Sequence, residues 1–134
     1  MTSTLARLLP AFVSFLLVSM PAFAQTPQAP QLPKRPQFVY MLHVAPRLHD
    51  EKLWTDKEKA AAGQHYQRLV KATDAGQVIF AGRTTESLDK TFGMVVFEAD
   101  SEAQAKAFME GDPAVVAGVM TATLHPFSVV LQRK

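Results

Sequence analysis

The sequence predicts an α+β domain with the ferredoxin-like βαββαβ plait, a four-stranded antiparallel sheet with two helices on one face. Two observations carry the prediction: four stretches suited to strands, and two amphipathic stretches that each follow a helix-capping sequence. Their order along the chain is strand, helix, strand, strand, helix, strand. Two right-handed crossovers wound in this order give the ferredoxin-like arrangement.

Residues 1–24 are predicted to be a cleavable signal peptide. Arg7 precedes the apolar stretch LLPAFVSFLLVSM, and the triplet AFA offers small residues for cleavage after Ala24. The alternative is a retained membrane anchor, which the shortness of the apolar run and its prolines disfavour. We therefore expect a periplasmic or secreted protein without membrane contact after cleavage.

Residues 25–37 carry four prolines and no apolar periodicity, which predicts a solvated, extended tether. The folded domain is then expected at residues 38–134, a length that supports one compact core.

The composition excludes several classes of protein. The chain has 134 residues, no cysteine and a formal charge of +2, of which Arg7 would leave with the leader. Stability must therefore come from packing without disulfides, although the predicted compartment is oxidising. The basic residues are scattered rather than clustered, so no nucleic-acid partner is expected.

The first half of the domain is predicted to form a strand and a long helix. QFVYMLHV at 37–44 is rich in aromatic and β-branched residues, which is typical of a strand buried on both faces. A connection of mixed polarity follows. TDKE then predicts a capping box at Thr55, and Gly76 is placed to end the helix. One stripe of this helix should face the core: Ala61, His65, Leu69 and Ala72.

The second half repeats this organisation after a hairpin. Stretches 77–84 and 92–99 are predicted strands close enough to pair. SEAQ from Ser101 predicts a second capping box and a helix that ends at Gly111. A short turn capped by Asp112 and a last strand follow.

Two prolines have specific meanings in this second half. Pro113 stands at the first position of the turn that Asp112 caps, where a missing amide proton costs nothing. Pro126 interrupts the hydrogen-bonding ladder of the last strand, which implies an edge position or a bulge.

The sheet face without helices is predicted to be covered by a second copy of the chain. The first and third strands carry apolar residues at both parities, so a bare face would expose a large apolar patch. We therefore expect a homodimer whose sheets pack face to face.

These motifs together resemble the YCII-related domain family. The resemblance rests on GQHYQRLVKATDAGQVIFAGR, on FGMVVFEADSEAQAKAFMEGDP, on the Asp-Pro followed by Ala-Gly-Val, and on a terminal HPF. It implies a dimeric α+β barrel related in architecture to muconolactone-isomerase-type enzymes, and one branch is associated with dechlorination of a chlorinated muconolactone. Many members have proline after the AG of strand two, where this chain has Arg83.

The resemblance also implies a catalytic pair, which would be His65 and Asp112. From the residues alone, a core histidine satisfied by a backbone carbonyl is favoured for His65, and only the resemblance makes the catalytic role an equal alternative. Asp112 is a helix cap first, and a cap that also reaches His65 would fix the ring tautomer and raise the basicity of the other nitrogen.

Three further residues are candidates for substrate binding. Arg83 could bind an anion with its planar fork, and a solvated strand end with a surface ion pair is the alternative. Tyr40 and His43 lie on strand one at opposite parity, so only one of them can share a sheet face with the pocket.

No metal or cofactor is expected. The four histidines include no i, i+4 pair on one helix, cysteine is missing, and no phosphate-binding loop or nucleotide fingerprint is present.

Two functions remain open from the sequence. One is an acid–base enzyme of lyase, isomerase or dehalogenase type that acts on a small anionic ring or lactone-like compound through His65 and Asp112. The other is a non-catalytic dimeric module of the cell envelope that binds a small ligand or a protein partner.

Overall fold

The computed structural model describes residues 35–133. The predicted leader and most of the predicted tether lie outside the described residues. Within them, no helix is long and apolar enough to cross a membrane. The elements are β1 (Gln37–Val44), α1 (Asp56–Asp74), β2 (Val78–Arg83), β3 (Phe92–Glu98), α2 (Glu102–Glu110), α3 (Pro113–Val116) and β4 (Met120–Phe127).

The four strands form one antiparallel sheet in the order β2-β3-β1-β4, which confirms the predicted ferredoxin-like fold. β2 and β3 pair directly, as predicted for a hairpin. β4 is an edge strand, and its Pro126 lies opposite Phe38 of β1. The edge position explains how the sheet tolerates a residue that cannot donate a hydrogen bond.

The alternation along β1 divides the sheet into a helix-facing and an opposite face. Phe38, Tyr40, Leu42 and Val44 share one parity, and all four are buried. The opposite parity is mixed, because Val39 is also buried whereas Met41 is half-buried and His43 is exposed. The prediction that β1 is buried on both faces therefore holds only in part.

The core between sheet and helices is centred on aromatic rings. The ring of Tyr40 meets Phe97 of β3 edge-on at 5.7 Å and Phe108 of α2 at 6.2 Å. The ring centroids of Phe97 and Phe108 lie 4.8 Å apart with the ring planes tilted by 34°. Full burial of Phe97 stabilises the fold by about 2 kcal/mol. This packing fixes the position of the Tyr40 hydroxyl.

Both long helices begin close to the predicted capping sequences. At α1, the carboxylate of Glu58 accepts from the backbone N–H of Thr55 at 3.1 Å and from its hydroxyl. At α2, the hydroxyl of Ser101 accepts from the backbone N–H of Gln104. The Gln104 side chain accepts from Asp100 rather than from Ser101, so the second capping box is displaced by one residue.

The connection between β1 and α1 is more ordered than its mixed polarity predicts. Two short 3₁₀ helices, Pro46–Leu48 and Glu51–Leu53, carry the chain across. The indole N–H of Trp54 donates to the carbonyl of Leu48 at 2.8 Å, which closes the segment on itself. Trp54 is thereby held beside the start of α1.

Candidate functional site

His65 lies in α1 between two buried alanine and leucine positions and turns its ring toward α3. Ala61 and Leu69, one turn before and one turn after it, both belong to the core. The His65 side chain is 15% exposed, and its Nδ1 lies 2.7 Å from Oδ2 of Asp112. The predicted stripe of α1 is confirmed, and the structure brings the two residues of the predicted pair together.

Asp112 is fixed in place by its role as a helix cap. α2 ends at Glu110, and Asp112 is the N-cap of the short helix α3. Its Oδ1 accepts from the backbone N–H of Ala114 at 2.9 Å, which leaves Oδ2 to face His65. The carboxylate is fully buried. One carboxylate therefore serves both as the cap and as the partner of the imidazole.

Tyr40 supplies a further hydrogen bond to the same carboxylate oxygen. Its hydroxyl donates to Oδ2 of Asp112 at 3.0 Å from the helix-facing side of β1. Burial and the nearby negative charge of Asp112 raise the pKa of the Tyr40 phenol well above its ordinary value. The phenol therefore remains a protonated donor.

Arg68 is a member of this cluster that sequence reasoning missed. Its Nη2 donates to the carbonyl of Phe108 at 2.8 Å, and its Nη1 lies 3.8 Å from Oδ2 of Asp112. The available signal was its position three residues after His65, because residues at i and i+3 are neighbours on a helix surface.

The carboxyl of Asp112 is held in its ionised form by its surroundings. Burial raises its pKa, but the hydrogen bond and charge of His65 together with the donors at Ala114 and Tyr40 outweigh burial. The net result is a pKa below the ordinary range. An ionised carboxylate can only accept, so Nδ1 of His65 is the donor, and a neutral ring carries its lone pair on Nε2.

His65 lines a cavity of about 840 Å³ between α1 and the β2–β3 side of the sheet. Most of the lining is apolar, with polar groups at intervals. Arg83 is the one arginine in this lining, whereas Asp112 and Tyr40 lie behind the imidazole and do not line the cavity. The lining includes Leu42, Trp54, His65, Tyr66, Val70, Thr73, Ile79, Phe80, Arg83, Thr91, Met94 and Met120.

The structure separates the remaining predicted binding residues. Arg83, exposed at the end of β2, lies opposite Gly93 in the register and contributes to the cavity. Tyr40 faces the helices and acts through Asp112. His43 has the opposite parity, contacts Phe92 at 6.2 Å between ring centroids, and does not line the cavity. Neither β1 candidate lines the cavity as predicted for substrate binding, and only Tyr40 contacts the pair, through Asp112.

No group of three or more His, Cys, Asp or Glu side chains in the described part of the chain is arranged to hold a metal ion. His49 is engaged instead with the backbone, since its Nε2 lies 3.1 Å from the carbonyl oxygen of Val44.

The structure thus defines a ferredoxin-like α+β domain with a buried aspartate–histidine pair beside an apolar cavity. The profile of the YCII-related domain family matches residues 39–127. The chain belongs to this family, as its sequence motifs indicated.

No curated protein matches the chain. A solved structure, 5-chloro-2-hydroxyhydroquinone dehydrochlorinase from Burkholderia phenoliruptrix AC1100 in complex with 2,5-dihydroxybenzoquinone, is similar with a TM-score of 0.47 and 17% sequence identity. The similarity covers 69% of this chain and 93% of that one.

Proposed function

We propose that this protein is an acid–base enzyme in which His65 is the catalytic base and Asp112 orients it. The observation that carries the proposal is the 2.7 Å contact between Nδ1 of His65 and a fully buried carboxylate, with the imidazole lining a cavity. A carboxylate at one ring nitrogen fixes the tautomer and leaves the lone pair of the other nitrogen available to accept a proton. A buried carboxylate that is hydrogen-bonded to a partly exposed imidazole beside a cavity suits proton transfer.

The proposed substrate is a small anionic ring or lactone-like compound. The apolar lining suits a ring, and the guanidinium of Arg83 suits a carboxylate. Nε2 of His65 would remove a proton from the carbon next to the lactone carbonyl, and the released electron pair would form a carbon–carbon double bond.

Two reactions can follow this proton removal, and atoms and electrons balance in both. If the neighbouring carbon carries chlorine, the C–Cl bond breaks and chloride leaves, so that HCl is eliminated overall. If it does not, the proton returns from His65 to a different carbon and the ring compound is isomerised. Both need one base that later gives up its proton, which a single histidine provides.

Chloride release from a chlorinated muconolactone tests the proposal. We compare wild type, His65→Ala and Gln64→Ala, which changes the adjacent, exposed residue of the same helix. The proposal expects release by wild type and Gln64→Ala and a loss of at least about 100-fold in His65→Ala, since general base catalysis typically contributes 10² to 10⁴. Equal rates for His65→Ala and wild type would refute it.

The alternative function is a non-catalytic small-ligand module, and the size of the apolar cavity favours it as the second candidate. Calorimetry with the same lactone separates the two. Binding that is equal in wild type and His65→Ala, without turnover in either, supports the module.

We further propose a homodimer and export. Met41 and its apolar neighbours on β1 and β3 at the parity opposite to Tyr40 face away from the helices, and a second sheet would cover them. Light scattering should give twice the chain mass, and a monodisperse monomer at micromolar concentration would contradict the dimer.

N-terminal sequencing of the exported protein should begin at Gln25, and a first residue of Met1 would contradict cleavage.

A further inference from the structure

Arg68 is held in place by two contacts that do not involve the catalytic pair. Its Nη2 donates to the carbonyl of Phe108 at 2.8 Å, and its guanidinium carbon lies 4.2 Å from the centre of the Phe108 ring. These contacts join α1 to α2. They also direct Nη1 toward Asp112, at 3.8 Å from Oδ2.

Nη1 of Arg68 is buried and has no hydrogen-bond partner among the described residues. At 3.8 Å it is too far from Oδ2 for a hydrogen bond, but two opposite charges at this distance still interact strongly away from water. A residue that only joined α1 to α2 would not require a buried, unbonded N–H beside a carboxylate, which is a costly arrangement. The position of Arg68 therefore indicates that its positive charge acts on the carboxylate of Asp112.

We propose that Arg68 is a positioning residue whose fixed positive charge keeps Asp112 ionised behind His65. With Asp112 ionised, the proton between the two residues stays on Nδ1 of the His65 imidazole. The part of this inference that concerns catalysis rests on the function proposed above. The charge relationship between Arg68 and Asp112 is independent of it.

The groups around Asp112 explain why such a charge is needed. His65 and Arg68 face the carboxylate from α1, Tyr40 faces it from β1, and the backbone N–H of Ala114 faces it from α3. Of these described groups, only Arg68 carries a permanent charge. When His65 is neutral and ready to accept a proton, Arg68 is the remaining cation beside a fully buried carboxylate.

NMR titration of the Asp112 carboxyl carbon tests the proposal without any substrate. We compare wild type, Arg68→Gln and Arg68→Lys, with Lys71→Gln as the control that removes another cation from α1. The midpoint should rise by about one pH unit in Arg68→Gln, the lower end of the effect of a nearby opposite charge. It should stay near the wild-type value in Arg68→Lys and Lys71→Gln. An unchanged midpoint in Arg68→Gln would overturn the proposal.

If Arg68→Gln does not fold, the test uses the double variant with Arg68→Gln and Asp112→Asn. The second substitution removes the buried charge of the carboxylate. The proposal expects the double variant to regain a cooperative urea transition at pH 7. A double variant that remains unfolded would assign Arg68 a packing role alone and overturn the proposal. A shifted midpoint without chloride release from the lactone would contradict the proposed function and leave this inference standing.

Discussion

The phenol oxygen of Tyr40 and Oδ2 of Asp112 meet at 3.0 Å in the core although 72 residues separate them in the chain. The same oxygen lies 2.7 Å from Nδ1 of His65. One buried carboxylate oxygen thus joins the first strand, the first long helix and the cap of a four-residue helix. The fold and the candidate chemistry share this atom.

Tyr40→Phe is expected to weaken this junction without disturbing the packing around it. The phenylalanine ring can keep the contacts with Phe97 and Phe108, while the hydrogen bond to the carboxylate is lost. The free energy of unfolding should fall by about 2 kcal/mol, as is typical of a hydrogen bond to a charged group. Urea denaturation at pH 7 measures it.

A comparison with Phe38→Leu separates this loss from ring packing, because Phe38 contacts Phe97 but carries no hydroxyl. In combination with Asp112→Asn, the cost of Tyr40→Phe should shrink. An undiminished cost in that background would show that the hydroxyl stabilises the protein through some other contact.

Asp112 should make the stability of the protein depend on pH. Its pKa is below the ordinary value of about 3.9, so its contribution is complete above that pH. The contribution is lost as the pH falls through the lower pKa of the folded state, where the folded protein finally binds the proton. The free energy of unfolding, measured by urea denaturation between pH 2 and 6, should therefore decrease on acidification.

Asp112→Asn provides the matched comparison, because asparagine also caps helices well. The difference in unfolding free energy between wild type and this variant should be largest at pH 6 and should narrow below pH 4. A difference that stays constant over the whole range would mean that the carboxylate charge contributes nothing to stability.

The extent of prediction from sequence differs between fold and site for physical reasons. Capping residues and apolar periodicity are local signals, so the helices and the role of Asp112 as a cap could be predicted. The prediction that His65 and Asp112 form a pair came from the family resemblance. Arg68 was missed because its position three residues after His65 places it near that residue but does not reveal its tertiary contacts with Phe108 and Asp112.

The two candidate residues of β1 show the same limit of prediction from sequence. Alternation predicted that Tyr40 and His43 lie on opposite faces, but not which face carries the pocket. That choice depends on where α1 packs, and the packing selected Tyr40. The one-residue displacement of the Gln104 contact is of similar origin, since either of two adjacent backbone donors could satisfy its side chain.

Two glycines with equally open surroundings should respond to alanine in opposite directions. A Cβ at Gly63 or at Gly76 would meet nothing within 4 Å. Gly63 lies inside α1, where alanine should stabilise the protein by about 0.8 kcal/mol. Gly76 has φ of +74°, where alanine should destabilise it by about 1 kcal/mol. Thermal unfolding of the two variants measures both, and changes of the same sign would contradict the conformational argument.

Arg83 should select for charge in the ligand. It lines the cavity at the exposed end of β2, so its guanidinium can pair with a carboxylate while solvent reaches it. Arg83→Gln should therefore weaken binding of a muconolactone carboxylate by about tenfold, equivalent to about 1.4 kcal/mol. Binding of its uncharged methyl ester should change little.

Calorimetry with both ligands on wild type and Arg83→Gln measures this selectivity, and Arg47→Gln is the matched control. Arg47 is also exposed, but it pairs with Glu58 at 3.1 Å and does not line the cavity. Equal losses for the acid and the ester would show that Arg83 shapes the cavity rather than recognising charge. An unchanged affinity for both would place it outside the binding site and leave the apolar lining to select the ligand.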